Sequence, residues 1–387
     1  MIGFSEFYRH WSENAELAEQ TLRMEPTAGI ATSFILPMEH GLIEELAGAE
    51  PGMYKKCPEE VYLKMQKKIG ACFIDQYIPL NPLTMSDVGY DDAHKTASAG
   101  MEKIVRDGIE IDSPEAVVEH LEKYVFPRLE KAIEETDIND EAAVKKLIEQ
   151  ENNVQREFGS DILKVPYSNG FQSKPVLRYG TYGCADYFMA YALFPEIMEK
   201  DFSLMADLAE KRNSIAAKAI IEGNLPKVLR FDHDMASSQG TLVDVKSLDR
   251  IWFPHFQRCI QPLLDAGIRL IWHCDGNLME MVPRLLEVGI GGFQGFQYED
   301  GMDYEKICKM TDRDGGPLMI WGGVSVTQTL PNGSPEDVRR EMKWLVEHAP
   351  QVGFVLGASS SITPGTSHKN IKTMLAGLKY YRGHGRG

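Results

Sequence analysis

Positive charge is scarce in this sequence: 41 Lys and Arg stand against 57 Asp and Glu, a formal net charge of −16 over 387 residues. That balance argues against nucleic acid and anionic membrane surfaces as partners, because both require clustered cations. Long apolar runs are missing too. No stretch approaches the roughly 18 uninterrupted apolar residues of a spanning helix. The opening, MIGFSEFYRHWSENAE, carries charge from Glu6 and Arg9 onward and has no apolar signal region, so a cytoplasmic rather than a secreted protein is expected. Cysteine is present six times but never as C-x-x-C, and the nearest pair lies fifteen residues apart, which excludes a zinc ribbon or a dithiol redox motif. Free, mostly buried thiols are expected. A Gly-rich dinucleotide loop, internal repeats and low-complexity segments are likewise absent.

What is there is a globular composition, 43% apolar and 25% charged, with a regular beat. From about Pro175 short strand-type runs end in polar clusters and are followed by helical segments. The runs are 175–183, 226–234, 267–276, 289–297, 316–323 and 352–361, and two more precede them at 29–37 and 71–80. Between them, 247–267 and 334–350 read as helices, the second with Ser334 as N-cap and Pro335 in the first turn. Strand alternating with helix implies a parallel sheet, and two plus six strands is the count of an α/β (β/α)8 TIM barrel. A doubly wound open sheet is the competitor. Residues 100–160 read instead as charged amphipathic helices with caps at Ser113 and Asn139, a helical insertion packed beside the barrel. The terminal RGHGRG reads as a frayed end.

Active sites of such barrels lie at the carboxyl ends of the strands. Here those ends carry Asp232-His233-Asp234, His273-Cys274-Asp275, Gln294 with Gln297, Glu299 and Asp300, and Ser359-Ser360-Ser361. Residues two apart on a strand share a face, so Asp232 pairs with Asp234 and His273 with Asp275 on the neighbouring strand. One imidazole and up to three carboxylates then converge, an arrangement suited to a divalent metal or to an acid–base pair. His273, Asp275, Asp232 and Asp234 are the candidate catalytic residues, with His273 and Asp275 as candidate metal ligands. Each also has a plain structural reading, Asp275 before Gly276-Asn277 as turn chemistry above all. His233 and Cys274 fall on the opposite face and are expected to pack. Tyr182, Gln297, Glu299 and Ser359 are the candidates for lining a substrate. The aromatic segment 179–194 around Tyr182 suits either a core or a ring-lined pocket.

WHCDGNLMEMVPRLLEVGIGGFQGFQ (272–297), the DHD at 232–234, the DAG ending a helix at 265–267, and LGASSSITPGTSHKN (356–370) together resemble the uroporphyrinogen decarboxylase superfamily. The resemblance is strong over roughly 170–375, weaker in the first 100 residues, and includes GIEIDSPEAV (108–117). It implies one barrel domain over residues 1–387 with its cleft at the carboxyl face.

Within that superfamily the resemblance leaves a decarboxylase and corrinoid-dependent methyltransferases. True decarboxylases clamp a polycarboxylate with arginines after the first strand, where this chain has FILPMEHGLIEEL (34–46), without arginine and with three acidic residues. The late catalytic histidine of that branch falls near Ala358 and is also missing. The methyltransferase branch holds zinc by H-x-C and a last-strand Cys. His273 matches the histidine, whereas the cysteine positions fall on Asp275 and on Ala358 or Ser359. Loss of the thiolates argues against a thiol acceptor. The resemblance therefore implies transfer from a methylated small molecule, of the aryl methyl ether type used by O-demethylases, to the Co(I) corrinoid of a partner protein, with zinc or a proton donor activating the leaving group. A decarboxylase of another acid, and a corrinoid- or tetrapyrrole-binding module, are the other readings. The module lacks D-x-H-x-x-G and ranks last.

Overall fold

Five of the expected strand runs form one curled parallel sheet with the first, because their apolar residues are buried on both faces as a sheet between a core and helices demands. The computed structural model describes residues 10–80, 103–167 and 170–387; the chain opening (1–9) and the start of the expected insertion (100–102) lie outside them. In chain order the core strands are β1 (Ala31–Thr32), β2 (Phe73–Ile74), β3 (Leu163–Lys164), β4 (Val228–Asp232), β5 (Arg269–His273), β6 (Ile290–Gln294), β7 (Met319–Val324) and β8 (Phe354–Ala358). Six of them make one sheet in the order β1-β8-β7-β6-β5-β4, all parallel, while β2 and β3 pair as a separate parallel couple. The couple is tied to the sheet where the Cys72 N–H donates to the Thr32 carbonyl at 2.8 Å. Phe73 of β2 meets Trp321 of β7 edge to face, ring centroids 4.9 Å apart.

The register aligns residues that are far apart in sequence. Asp232 pairs with His273, His273 with Gln294, Gln294 with Trp321, Trp321 with Val355 and Val355 with Ala31. Register partners in a parallel sheet point to the same side, so this row lies on one face. The alternate residues face the helices: Phe231 and Trp272 pack on Phe256 (6.2 and 5.4 Å), and Trp252 stacks on Phe256 at 4.6 Å. Contacts of this kind add about 0.5–1.5 kcal/mol each to the area they bury.

The expected strand at 175–183 is a correction. Residues 175–178 have no regular structure and Tyr179–Tyr182 form a helical turn. Pro175 brings no N–H to a ladder. The Leu177 N–H is spent on His233 Nε2 (2.9 Å), and Arg178 grips the fully buried Asp201 (2.7 and 3.0 Å). In chain order the strand between β2 and β4 is β3, which follows the helix Glu141–Phe158 and pairs with β2. The insertion is helical, as expected, over Pro114–Glu135 and Glu141–Phe158, but it opens with a hairpin, Ile104–Arg106 against Ile109–Ile111. Ser113 caps its first helix as expected; the second is capped by Asp140 and not Asn139, since the Asp140 carboxylate accepts from the Ala142 and Ala143 N–H groups (2.9 and 3.1 Å). Ser334 and Asp337 form the capping box of Pro335–His348. The helical stretch at 247–267 is two helices, Val245–Ile251 and Phe253–Asp265, broken at Trp252 ahead of Pro254. The C-terminus is not frayed: the helix runs to His384, and the Arg386 guanidinium donates to the Val346 and Pro350 carbonyls.

Among the described residues no helix is long and apolar enough to cross a membrane. The seam between β8 and β1 leaves no room for a side chain at Gly357, where a Cβ would lie 1.9 Å from the Ser33 carbonyl oxygen. Gly357→Ala is therefore expected to lower the unfolding free energy by about 2 kcal/mol or more, read as a shift in the urea midpoint; an unchanged midpoint would contradict this packing.

Candidate active site

Beneath the carboxyl end of β4 lies a buried cation that no strand-end motif announces. Arg230 is 0% exposed and donates through Nε to Asp75 (2.6 Å), through Nη1 to Asp232 Oδ2 (3.0 Å) and through Nη2 to Gln76 (3.1 Å). Its guanidinium lies against the rings of Phe34 (4.9 Å) and Tyr167 (4.5 Å). A buried charge is tolerated only when paired and hydrogen-bonded, and here both conditions hold. The Tyr167 hydroxyl donates to the same Asp232 oxygen, Oδ2, at 3.0 Å. With Oδ2 held twice, Oδ1 is the oxygen left to face His273 Nε2, 4.0 Å away.

His273 is held from its other side. It is 6% exposed, and its Nδ1 lies 3.2 Å from the Gln294 carbonyl oxygen. A carbonyl can only accept, so Nδ1 carries the hydrogen and Nε2 is turned toward the carboxylates. The turn that makes this possible needs glycine at 295. Its φ is +75°, and a Cβ there would stand 2.9 Å from both His273 Nδ1 and the Ser359 carbonyl oxygen. Phe34, whose ring centroid is 6.1 Å from that of His273, has a φ of +60°, a strained backbone for a bulky residue next to the candidate site.

Asp275 Oδ1 is also 4.0 Å from His273 Nε2, and Ser360 Oγ approaches Asp275 Oδ2 at 3.5 Å. Asp234 joins through its Oδ1, which accepts the Asp275 N–H at 2.9 Å. The four expected residues are thus brought together. Their environments differ. Burial pushes the Asp232 carboxyl up, but His273, Arg230 and the Tyr167 hydroxyl outweigh it and hold its pKa below the ordinary value. Asp275 is raised, first by burial and then by the charges of Asp234 and Asp232, with His273 opposing. One carboxylate held ionised beside one pushed toward its neutral form is the pattern of an acid–base site.

Asp232, Asp234 and His273 place one ligand atom each within 4.8 Å of one another, so a divalent ion has Asp234 as well as the expected His273 within reach. The donor set is nitrogen and oxygen without thiolate, which zinc and harder divalent ions accept. The Nδ1–H to carbonyl bond is the support that a metal-ligating imidazole ordinarily has.

The remaining expected residues fall differently. His233 and Cys274 pack on the helix side, as their parity implies. His233 accepts from Leu177 N–H, and burial holds its pKa at about 3; burial pushes the Cys274 thiol up to about 12. Tyr182 is 0% exposed, with its hydroxyl 2.8 Å from His120 Nδ1 and its ring stacked on Tyr187; the helical turn at 179–182 directs it into the core. The tyrosine of this segment that reaches the strand ends is Tyr179, which donates to the Asp234 carbonyl at 2.9 Å. Gln297 Oε1 accepts the Gly276 N–H at 2.5 Å and so fixes the turn after Asp275. Glu299 accepts from Ser325 (2.7 Å) and Thr327, bracing the loop after β7, and Ser359 is buried with Oγ accepting the Val326 N–H at 3.1 Å. Arg230, Asp75 and Tyr167 were not among the candidates; a lone Arg inside the apolar run VLRF was the available signal for the first.

The model of the uroporphyrinogen decarboxylase (URO-D) family matches residues 202–381, which contain β4 to β8 and all four clustered residues. Among solved structures, a methyltransferase from Methanosarcina mazei superposes with a TM-score of 0.55 at 16% identity, over 96% of this chain and 99% of that one. The likeness is one of fold. A putative vitamin-B12 independent methionine synthase from Listeria monocytogenes (TM-score 0.40, 12% identity, 92% of this chain and 96% of that one) and a B12-independent methionine synthase from Shewanella sp. W3-18-1 (0.31, 14%, 61% and 65%) overlap too loosely to bear on the site. No curated protein matches the chain.

Because the folded state raises the pKa of Asp275, its ionised form costs stability above that pKa and the cost disappears once the group is protonated in both states. Asp275→Asn is expected to raise the melting temperature at pH 7 and to lose that advantage below about pH 4. A melting temperature lowered at pH 7 would contradict the electrostatics described.

Proposed function

We propose that this chain is a methyltransferase of the uroporphyrinogen decarboxylase superfamily, acting as a single (β/α)8 barrel that passes a methyl group from a methylated small molecule to the Co(I) corrinoid of a partner protein. Methoxylated aromatics, with O-demethylation as the outcome, are the first donors to test. The observation that carries the reading is His273, its Nδ1–H spent on Gln294 and its Nε2 facing Asp232 and Asp275, at the strand ends of a fold shared with a methyltransferase.

The corrinoid supplies, when bound, a nucleophile strong enough to take a methyl group, so the barrier left to this chain is the leaving oxygen. As the C–O bond breaks its electron pair stays on that oxygen, which must be protonated or neutralised. A proton on His273 Nε2 is stabilised by Asp232, itself kept anionic by Arg230, and is delivered from the buried side of the cluster. Asp275 is the second carboxyl in reach of the same nitrogen, and through it a proton taken from solvent replaces the one that leaves with the product. Where a divalent ion such as zinc is present, Asp232, Asp234 and His273 would hold it, and it would act as a Lewis acid toward the same oxygen. A cytoplasmic location completes the proposal.

The family match also admits decarboxylation, but the charge around the cluster disfavours the polycarboxylate it would require. Arg230 is fully buried and committed to Asp75 and Asp232, Lys174 lies over the Phe231 ring on the helix side of β4, and among the described residues the exposed charges at the cluster are the carboxylates of Asp234 and Asp275.

The test is anaerobic mixing of the protein with reduced corrinoid, free or protein-bound, and a panel of methoxylated aromatics and methylated amines. A protein- and donor-dependent change in the corrinoid's visible spectrum is expected, with His273→Gln slower by about 100-fold or more. Full activity in that variant would remove His273 from the reaction. Silence across the panel, with CO2 released from a carboxylic acid in the absence of corrinoid, would establish the lyase instead.

A further inference from the structure

The row that holds His273 continues onto β6 with a buried acceptor that has no partner. Gln294 is 1% exposed, and its Nε2 donates to the Ser359 carbonyl at 3.2 Å, which fixes the amide with Oε1 as the free end. Among the described residues that oxygen finds no donor, although its residue is the register partner of His273 and its own carbonyl holds the His273 ring. A buried acceptor without a protein donor is open to one from a ligand or an ordered water. The indole N–H of Trp321, one strand further, is also unpartnered but carries no charge.

Among the described residues, the carboxylates at the open end of the cluster have no cation paired with them. Asp234 is exposed and Asp275 partly so, and among the described residues no Lys or Arg nitrogen lies within 4.0 Å of either; His273 is the basic group in contact with Asp275. Arg230 is balanced by Asp75 and Asp232 and has no exposed surface. Lys174 and His233 lie on the other side of β4, the ammonium of Lys174 over the Phe231 ring at 5.3 Å. A divalent ion at Asp232, Asp234 and His273 would draw on Asp234 and leave Asp275 as the carboxylate free to meet a ligand.

We infer that the methyl donor is a cation carrying its positive charge on an N–H-bearing group, an ammonium rather than a carboxylate, received by Asp234, Asp275 and the free Gln294 oxygen. The inference rests on the methyl-transfer reading for the word donor, but the selection by charge is a property of binding alone. An anion at this position faces uncompensated carboxylates in a partly desolvated site, where repulsion is poorly screened.

Three ligands of one shape test it: 4-methoxybenzylamine, 4-methoxybenzyl alcohol and 4-methoxybenzoate, titrated calorimetrically into the full chain at low ionic strength, with and without zinc. The amine is expected to bind at least about tenfold more tightly than the alcohol, and the benzoate most weakly. Asp234→Asn and Asp275→Asn, which keep side-chain shape, should each compress that spread to within about threefold. Benzoate binding as tightly as the amine, or the absence of any charge-dependent binding in the series, would overturn the inference. Methyl transfer from the benzoate with an inverted order would leave the transfer reading standing and remove this one. The expected order without transfer to corrinoid would do the reverse.

Discussion

Parallel pairing among β4, β5 and β6 is the constraint on which the rest depends. It sets Asp232, His273 and Gln294 in one row, so that a carboxylate, an imidazole and a carbonyl from three distant stretches become neighbours. A slip of one residue in either pairing would turn the row to the helix side and bring His233 and Cys274 to the front. The packing of Trp272 and Phe231 against Phe256 on the helix side opposes such a slip, since both strand rings would have to leave the core. Function and stability are thus linked through register, with aromatic burial on one face fixing the polar row on the other.

On that row, charge is arranged in depth. Arg230 with Asp75 forms the floor, tolerable there because each of its three nitrogens donates a hydrogen bond. The layer above is the pair of facing groups, Asp232 and His273, each held by its back atoms: Asp232 by Arg230 and Tyr167, His273 by Gln294. The uppermost layer, Asp234 and Asp275, is open and acidic. Holding a reactive group by the atoms that do not react is what preorganisation means physically, because little reorientation remains when a substrate arrives.

The strands that carry this site were legible in the sequence because their period and their polar endings coincide, as in GIRLIWHCDG and PKVLRFDHD. The cluster of His273 with Asp232, Asp234 and Asp275 follows from strand-end position, the adjacency of the two strands and side-chain parity together. The rest was not legible, for identifiable reasons. β3 directly follows the charged helical stretch read as an insertion and lacks a strand-type run of its own, whereas the apolar PVLRYGTYG imitates a strand while its polar groups are drawn elsewhere by His233 and Asp201. Tyr182 and Tyr179 are three residues apart, and only a helical turn there decides which of them is buried. Arg230 finds Asp75 and Tyr167 across 155 and 63 positions of chain, separations at which one sequence carries no pairing signal.

The central claim is that His273 keeps its hydrogen on Nδ1 and offers Nε2 to Asp232 and Asp275. Nitrogen-15 NMR of the histidine rings, with His273 assigned by difference from His273→Gln, tests it most directly. The account predicts, at a pH where the ring is neutral, a single tautomer with Nδ1 protonated. A ring protonated on Nε2 instead, or one exchanging freely between tautomers, would contradict it.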